Sequence, residues 1–128
     1  KNFNSVVKLK IVNKKNLSNT SKSITKYKVL KSKNKLSTIL FRPLTGKTHQ
    51  LRIVSKHINC PIIGDKRYNK LEKYNLEKLK LNAFFLQFVI NDKEYEFKSK
   101  LPNHFDEFLY KNGINPIFDK DLSCFLHL

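Results

Sequence analysis

Arginine is rare in this chain, and all of it falls within one short stretch. Of 26 basic residues, only Arg42, Arg52 and Arg67 are arginine. The planar guanidinium can hold a carboxylate or a phosphate through two parallel hydrogen bonds, which a lysine ammonium cannot do. Residues 42–68 are therefore the first candidates for a site that binds an anion.

Residues 46–50 read G-K-T-H-Q and are predicted to lie at the start of a helix. Backbone N–H groups and the helix dipole favour an anion there, and Lys47, His49 and Gln50 can add side-chain donors. Arg52 follows in the first turn, where the same dipole disfavours a cation. We therefore predict that Arg52 has a carboxylate or phosphate partner in another segment.

The neighbouring residues predict how this helix begins and ends. Gly46 is expected to adopt a turn conformation closed to other residues, and Thr48 is expected to cap the helix. Asn59 is expected to follow the helix in a left-handed conformation, with Pro61 preventing continuation. The apolar face of the helix is predicted to consist of Leu51, Val54 and Ile58.

Outside this stretch the sequence predicts mainly strands, which cover residues 5–12, 23–30, 36–42, 81–90 and 94–99. The first is expected near a sheet edge, and Pro43 ends the third. The run 81–90 is the most apolar and is expected to be a central strand, with Tyr95 and Phe97 pointing inward from the next one. The predicted turns and loops are 13–22, 31–35, 66–80 (with one helical turn at 76–79) and 91–92.

A second helix is predicted from Asn103 to about Asn112, ended by Gly113, with Phe105, Phe108 and Leu109 on one face. Strands thus dominate and neighbouring strands are expected to pair antiparallel. The predicted fold class is α+β, with a predominantly antiparallel or mixed sheet and a few short helices.

The formal net charge of +16 is unevenly distributed. Residues 1–64 contain 15 of the 26 lysines and arginines and no acid, so that the first carboxylate is Asp65. Residues 65–128 contain all ten acids and are almost neutral. A one-sided positive charge is typical of proteins that bind a polyanion, and nucleic acid is therefore the predicted partner.

Other chemistries fit the sequence less well. T-G-K-T is similar to the end of a phosphate-binding loop, but that motif requires a glycine where Phe41 stands, and Pro43 would interrupt the loop. Neither the four histidines nor Cys60 and Cys124 have the spacing of a zinc site, so no metal is predicted. No run approaches the roughly 18 apolar residues of a membrane span. Two cysteines fit a reducing compartment, and a cytoplasmic location is expected.

The stretch T-G-K-T-H-Q-L-R, followed by C-P-I-I-G-D-K-R-Y, resembles the late motif of the RluA-type RNA pseudouridine synthases. That family typically reads T-G-R-T-H-Q-I-R, then a helix, then H-P-I-x-G-D-x-x-Y. Lys47 replaces the usual arginine, Cys60 the usual histidine, and Asn69 the glycine that often follows the tyrosine. A weaker resemblance extends over residues 23–41 and 81–109.

The resemblance implies the pseudouridine synthase fold and a cofactor-free isomerisation of uridine in ribosomal or transfer RNA. In this family the target nucleotide is flipped from its stack, and an aspartate either attacks the ribose or initiates cleavage of the glycosidic bond. The detached uracil then rotates and rejoins the ribose through carbon 5. Arg52 matches the arginine that pairs with that aspartate and is the implied catalytic residue. The implied substrate-binding residues are Thr45, Gly46, Lys47, Thr48, His49, Gln50, Leu51 and Ile53.

The resemblance gives these residues different roles. Leu51 and Ile53 would line the uracil pocket, while Lys47, His49 and Gln50 would either contact RNA or brace the turn. Thr45, Gly46 and Thr48 can equally be explained by turn and cap formation. Gly64 and Asp65 are expected to be structural, with Asp65 paired to Arg67.

The family's aspartate lies in an earlier H-R-L-D-type motif, and residues 1–64 contain no acid that could replace it. We therefore expect residues 1–128 to be the C-terminal portion of a catalytic domain, with 114–128 as a loosely docked tail. The chain is expected to be monomeric, to bind RNA, and to be inactive without an upstream segment that supplies the aspartate to Arg52. A carboxylate from residues 65–128 already bonded to Arg52 would remove the proposed pocket and, with it, the interpretation of this chain as an enzyme from its arginine. The alternative is a non-catalytic, ribosome-associated RNA-binding module.

Overall fold

The computed structural model describes residues 5–13 and 16–114, which form two antiparallel sheets and two short helices. Strands β1 (Ser5–Asn13), β2 (Asn16–Lys33) and β3 (Leu36–Pro43) form one sheet in that order. Strands β4 (Phe85–Ile90) and β5 (Lys93–Lys98) form the other. The helices are α1 (Gln50–His57) and α2 (Asn103–Lys111). The predicted α+β class is confirmed.

The hairpin between β2 and β3 was predicted, but its turn is shorter than residues 31–35. Only Asn34 and Lys35 lie outside the strands, and both have positive φ, at 51° and 62°. Two left-handed residues give the turn a twist that matches that of the paired strands. The predicted loop 13–22 is wrong, because β2 already begins at Asn16 and pairs with β1. Asn and Ser are poor strand formers, but the backbone ladder with β1 overrides that preference.

The apolar run 81–90 is not a central strand. Strand β4 pairs with β5 and with no other strand among the described residues, and its side chains Leu86, Val89 and Ile90 are 53–66% exposed. The expected inward position of Phe97 is also wrong, since this ring is 56% exposed. An apolar run predicts that its side chains are buried, but it does not identify the segment that packs against them. The predicted turn at residues 91–92 is confirmed, with positive φ at both.

The core of the described part is small and rich in polar groups. Val54, Leu109 and Ile114 are its buried apolar side chains, at 0–4% exposure. Helix α2 follows Pro102 as predicted, and Gly113 has the left-handed φ of 67° expected after its end. The helical turn expected at 76–79 is instead a 3-10 turn at Glu72–Tyr74. Most of the predicted tail, from residue 115, lies outside the described residues.

The long connection between α1 and β4 is held by its backbone. Gly64 has a φ of 83° and lies so close to the 78–79 peptide that an added Cβ would be 2.3 Å from the carbonyl oxygen of Lys78. The N–H of Lys80 donates to the carbonyl of Ile63 at 2.9 Å. The buried ammonium of Lys80 bonds to Glu77 (3.0 Å) and His104 (3.2 Å), which ties the connection to α2. No helix in the described ranges is long and apolar enough to cross a membrane.

Two glycine substitutions test this account of the connection. Gly64→Ala should lower the free energy of unfolding by at least about 2 kcal/mol, because the methyl group meets backbone atoms and the residue is left-handed. Gly46→Ala is the matched control, since its φ is not positive and no atom lies within 4 Å of an added Cβ. It should be neutral or slightly stabilising in urea unfolding. Equal effects of the two substitutions would contradict the packing described for Gly64.

Candidate active site

Helix α1 begins at Gln50, and the residue before it is His49 in a left-handed conformation, with φ 54° and ψ 22°. No side chain caps this helix end, so the prediction that Thr48 is the N-cap is wrong. The prediction for Gly46 is also wrong, because the left-handed residue of the turn is His49. A non-glycine residue in this region costs about 1 kcal/mol or more and therefore needs support from its surroundings. Asn59 follows α1 with a φ of 60°, as predicted.

Hydrogen bonds that are buried or partly buried tie the turn before α1 to strand β2. The amide oxygen of Gln50 accepts bonds from the hydroxyl of Thr45 (2.8 Å) and the N–H of Lys47 (2.9 Å). Its amide nitrogen donates to the hydroxyl of Thr25 (2.9 Å) and the carbonyl of Ile24 (3.2 Å). The side chain of Gln50 is thus fully used inside the protein, which supports the bracing role over RNA contact.

The partner of Arg52 lies within this chain. Its Nε and Nη2 donate to the two carboxylate oxygens of Asp65, both at 2.8 Å. The expectation that Arg52 awaits a carboxylate absent from the chain is therefore wrong, and so is the expected side-chain pair of Asp65 with Arg67. Arg67 contributes only its backbone N–H, as does Tyr68. An unpaired Arg52 therefore no longer supports a catalytic pocket in this chain.

Asp65 is a structural carboxylate. It is 2% exposed and accepts four hydrogen bonds, which leaves it unsuited to attack a substrate. The hydrogen bonds from Arg52, helped by the N–H groups of Tyr68 and Arg67 and opposed by burial, lower the pKa of Asp65 from 3.8 to about 2. The hydrogen bond to Asp65 likewise raises the pKa of Arg52. Both groups are therefore charged throughout the physiological range.

Arg52 keeps an open edge. A guanidinium has five N–H donors, and Asp65 takes two of them. Among the described residues, no acceptor is bonded to the other three, on Nη1 and Nη2, and the side chain is 24% exposed. An arginine that is held in one orientation and has three N–H donors left can bind a second carboxylate or a phosphate through two hydrogen bonds. Asp65 thus orients Arg52 without saturating it.

Tyr68 completes the cluster and was not among the residues predicted for the site. Its ring lies beneath the guanidinium of Arg52, at 5.1 Å, and near that of Arg67, at 5.5 Å. Its hydroxyl lies 3.2 Å from Nδ1 of His49, whose ring meets it edge-on. The G-D-x-x-Y spacing held the signal, because the N–H of the third residue after Asp65 reaches that carboxylate and brings its ring beside Arg52.

The remaining predicted site residues divide by exposure. Gly46, Lys47 and Thr48 form an exposed loop tip, and Leu51 and Ile53 are half-buried on α1. The structure thus brings Thr45 and Gln50 into the brace, and His49 and Arg52 into the cluster with Tyr68. No group of three or more potential metal ligands occurs in the ranges that the structure describes.

Comparisons with known proteins show what this chain is similar to. The family model for RNA pseudouridylate synthase matches residues 2–57. The ribosomal large subunit pseudouridine synthase C of Rickettsia prowazekii is 41% identical over 87 residues, covering 65% of this chain and 29% of the relative. The ribosomal large subunit pseudouridine synthase D of Borreliella burgdorferi is 34% identical over 105 residues, covering 77% of this chain and 32% of the relative.

A solved structure has the same fold. Human RNA pseudouridylate synthase domain containing 4 superimposes with a TM-score of 0.70 at 22% identity, over 90% of this chain and 58% of that one. The fold and the motif are those of a pseudouridine synthase. This chain belongs to the RluA-type RNA pseudouridine synthase family. It spans about 30% of the length of the curated relatives it matches.

The pH dependence of stability tests the Arg52–Asp65 pair. The contribution of Asp65 is fully present above about pH 4 and is lost as pH falls through about 2, because the folded pKa is the lower one. Asp65→Asn should lower the free energy of unfolding by about 2 kcal/mol at pH 7 and by about half as much at pH 3.

Urea unfolding of Asp92→Asn is the matched control, since Asp92 is exposed and its left-handed turn position suits asparagine. This variant should differ from the wild type by less than about 0.5 kcal/mol at both pH values. A deficit of Asp65→Asn that does not shrink between pH 7 and pH 3 would show that the carboxylate charge is not the stabilising feature.

Proposed function

We propose that this chain forms the arginine-bearing part of the active site of an RNA pseudouridine synthase. The observation that carries the proposal is the open edge of Arg52, held in a fixed orientation by Asp65 within the motif T-G-K-T-H-Q-L-R. Family membership supports the reaction type, the isomerisation of uridine to pseudouridine. No cofactor takes part in the proposed reaction.

In the proposed site, Arg52 binds the attacking aspartate through its remaining N–H donors. This aspartate is the residue that the resemblance implies, in a segment other than residues 1–64, which have no acid. Arg52 would then lie between two carboxylates, with Asp65 fixing the guanidinium and the catalytic aspartate facing the substrate. A charge-assisted bidentate pair would keep that aspartate ionised and aligned for attack.

The other predicted residues are proposed to bind the flipped nucleotide. Leu51 and Ile53 flank Arg52 in the sequence, and both are half-buried. They would line the uracil pocket. The exposed tip of Gly46, Lys47 and Thr48 would contact phosphates, since it precedes the positive end of α1. Thr45 and Gln50 would act indirectly, by fixing the tip to strand β2.

The proposed substrate is ribosomal RNA, because the relatives reported above are named for the large ribosomal subunit. Transfer RNA remains the second candidate from the sequence. The proposed protein acts as a monomer in the cytoplasm, where the exposed thiol of Cys60 would stay reduced.

A non-catalytic RNA-binding module is the second candidate function. It is favoured by one observation: Asp65 already neutralises Arg52, so that stability alone could explain this arginine. The two candidates differ in what a conservative change at Arg52 does to turnover and to RNA binding.

The first test uses the 128-residue polypeptide by itself in a tritium-release assay on an RNA transcript labelled at carbon 5 of uridine. We expect RNA binding without tritium release, because the resemblance implies a nucleophile that precedes the matched motif, residues 1–64 contain no acid, and Asp65 is saturated. Release above the rate without protein would contradict the assignment of the nucleophile to another segment.

The second test compares Arg52→Lys with Arg67→Lys in the full-length gene product. Arg52→Lys keeps the charge but loses the fork, so kcat should fall about 100-fold or more while the Kd for RNA changes less than about threefold. Arg67→Lys should leave both values within about threefold, since Arg67 is exposed and bonds to Asp65 only through its backbone. A wild-type protein that binds RNA without turnover would favour the non-catalytic module.

A further inference from the structure

One face of the three-stranded sheet carries a row of positive charges. Side chains of alternate residues in a strand share a face, so Lys22, Lys26 and Lys28 of β2 lie together. The strand register adds Lys8, which lies opposite Ile24, and Arg42, which lies opposite Lys26. We call this surface the basic face: Lys8, Lys22, Lys26, Lys28 and Arg42.

The position of these lysines argues against two ordinary explanations. Lysines often protect the edge of a sheet from pairing, but Lys22, Lys26 and Lys28 lie on β2, the middle strand, which has a partner on each side. A surface that only interacts with water usually mixes both signs, and oppositely charged pairs across strands are the stabilising ones. Here Lys26 lies directly opposite Arg42, and residues 1–64 contain no acid.

The basic face is accessible at the end of the sheet away from the β2–β3 turn. Gln50, at the start of α1, bonds to Thr25, whose side chain belongs to the opposite face. The end of α2 lies near Lys33 at the turn, since an added Cβ on Gly113 would be 2.6 Å from its Nζ. Lys8 and Lys22 are exposed and lie beyond Thr25, on the side away from the turn.

The length of the row indicates what kind of anion it fits. A strand rises about 3.3 Å per residue, so the distance from Lys22 to Lys28 is about 20 Å. Positive groups spread over that distance match several phosphates of an extended chain and not one small anion. Half-exposed Val6 lies on the same face, opposite Lys26, and offers an apolar contact between the charges.

We propose that the basic face binds the phosphate backbone of RNA, with the strand of RNA running along β2 and away from the Arg52 site. The identification of the polyanion as RNA rests on the proposed function. Lys26 and Arg42 also interact within the chain, so the proposal depends on Lys8, Lys22 and Lys28. The bound RNA would be held by this surface outside the target nucleotide, which adds affinity without reading sequence.

The experiment measures the affinity of the chain for a fluorescent RNA transcript at several salt concentrations. The test variant is the triple substitution K8Q/K22Q/K28Q, and the control is K93Q/K100Q/K111Q, which removes the same charge from exposed sites elsewhere. Circular dichroism verifies that both variants fold. The test variant should bind at least about tenfold more weakly at 0.1 M salt, and the slope of log K against log salt should fall by about 2.

Equal weakening of the two triple variants would overturn the proposal, since it would show an effect of net charge alone. A wild-type chain that binds anionic lipid vesicles as tightly as RNA, with the same loss in the test variant, would also overturn it. Failure of the proposed function has a different outcome: the wild-type full-length protein would show no uridine turnover while the contrast between the triple variants persisted.

Discussion

The bidentate pair between Arg52 and Asp65 is the interaction on which the site depends. It connects the first turn of α1 to a loop thirteen residues further along the chain. The guanidinium of Arg52 donates two hydrogen bonds to the carboxylate of Asp65, which is almost fully buried. Breaking a buried pair by removing one partner leaves an uncompensated charge, which costs more than the pair contributes. The geometry of Gly64, Tyr68 and His49 can be understood as support for this one contact.

The support comes from both sides of the pair. Gly64 places Asp65 by packing against the 78–79 backbone, where no side chain would fit. On the other side, the ring of Tyr68 contacts the guanidinium and its hydroxyl lies against His49. The contact with Tyr68 thus supports the left-handed backbone of His49, three residues before Arg52. Strain of this kind is typically retained where a particular orientation serves function.

The sequence predicted part of the local structure and few of the long-range contacts, and the Thr48 cap, the turn conformation of Gly46 and the helical turn at residues 76–79 are local predictions that were wrong. The helix of the motif, the left-handed Asn59 and the turn at residues 91–92 follow from residue types alone, because their causes lie within a few residues. The partner of Arg52 could not be derived in this way, since several acids follow Arg52 and nothing in their spacing selects Asp65. Strand β4 is a second example. Its hydropathy predicts that one of its surfaces is buried, but does not identify the segment that packs against it.

Arginine-selective 15N NMR tests the central claim most directly, and the chain suits it because only three arginines contribute signals. The account predicts that the Nε–H of Arg52 exchanges slowly with solvent, that this protection is lost in Asp65→Asn, and that added RNA or carboxylate shifts the Nη signals of Arg52 while the Nε–H stays protected. Equally fast exchange at all three arginines, or release of the Arg52 Nε–H when the anion binds, would contradict an arginine fixed by Asp65 with its other edge open.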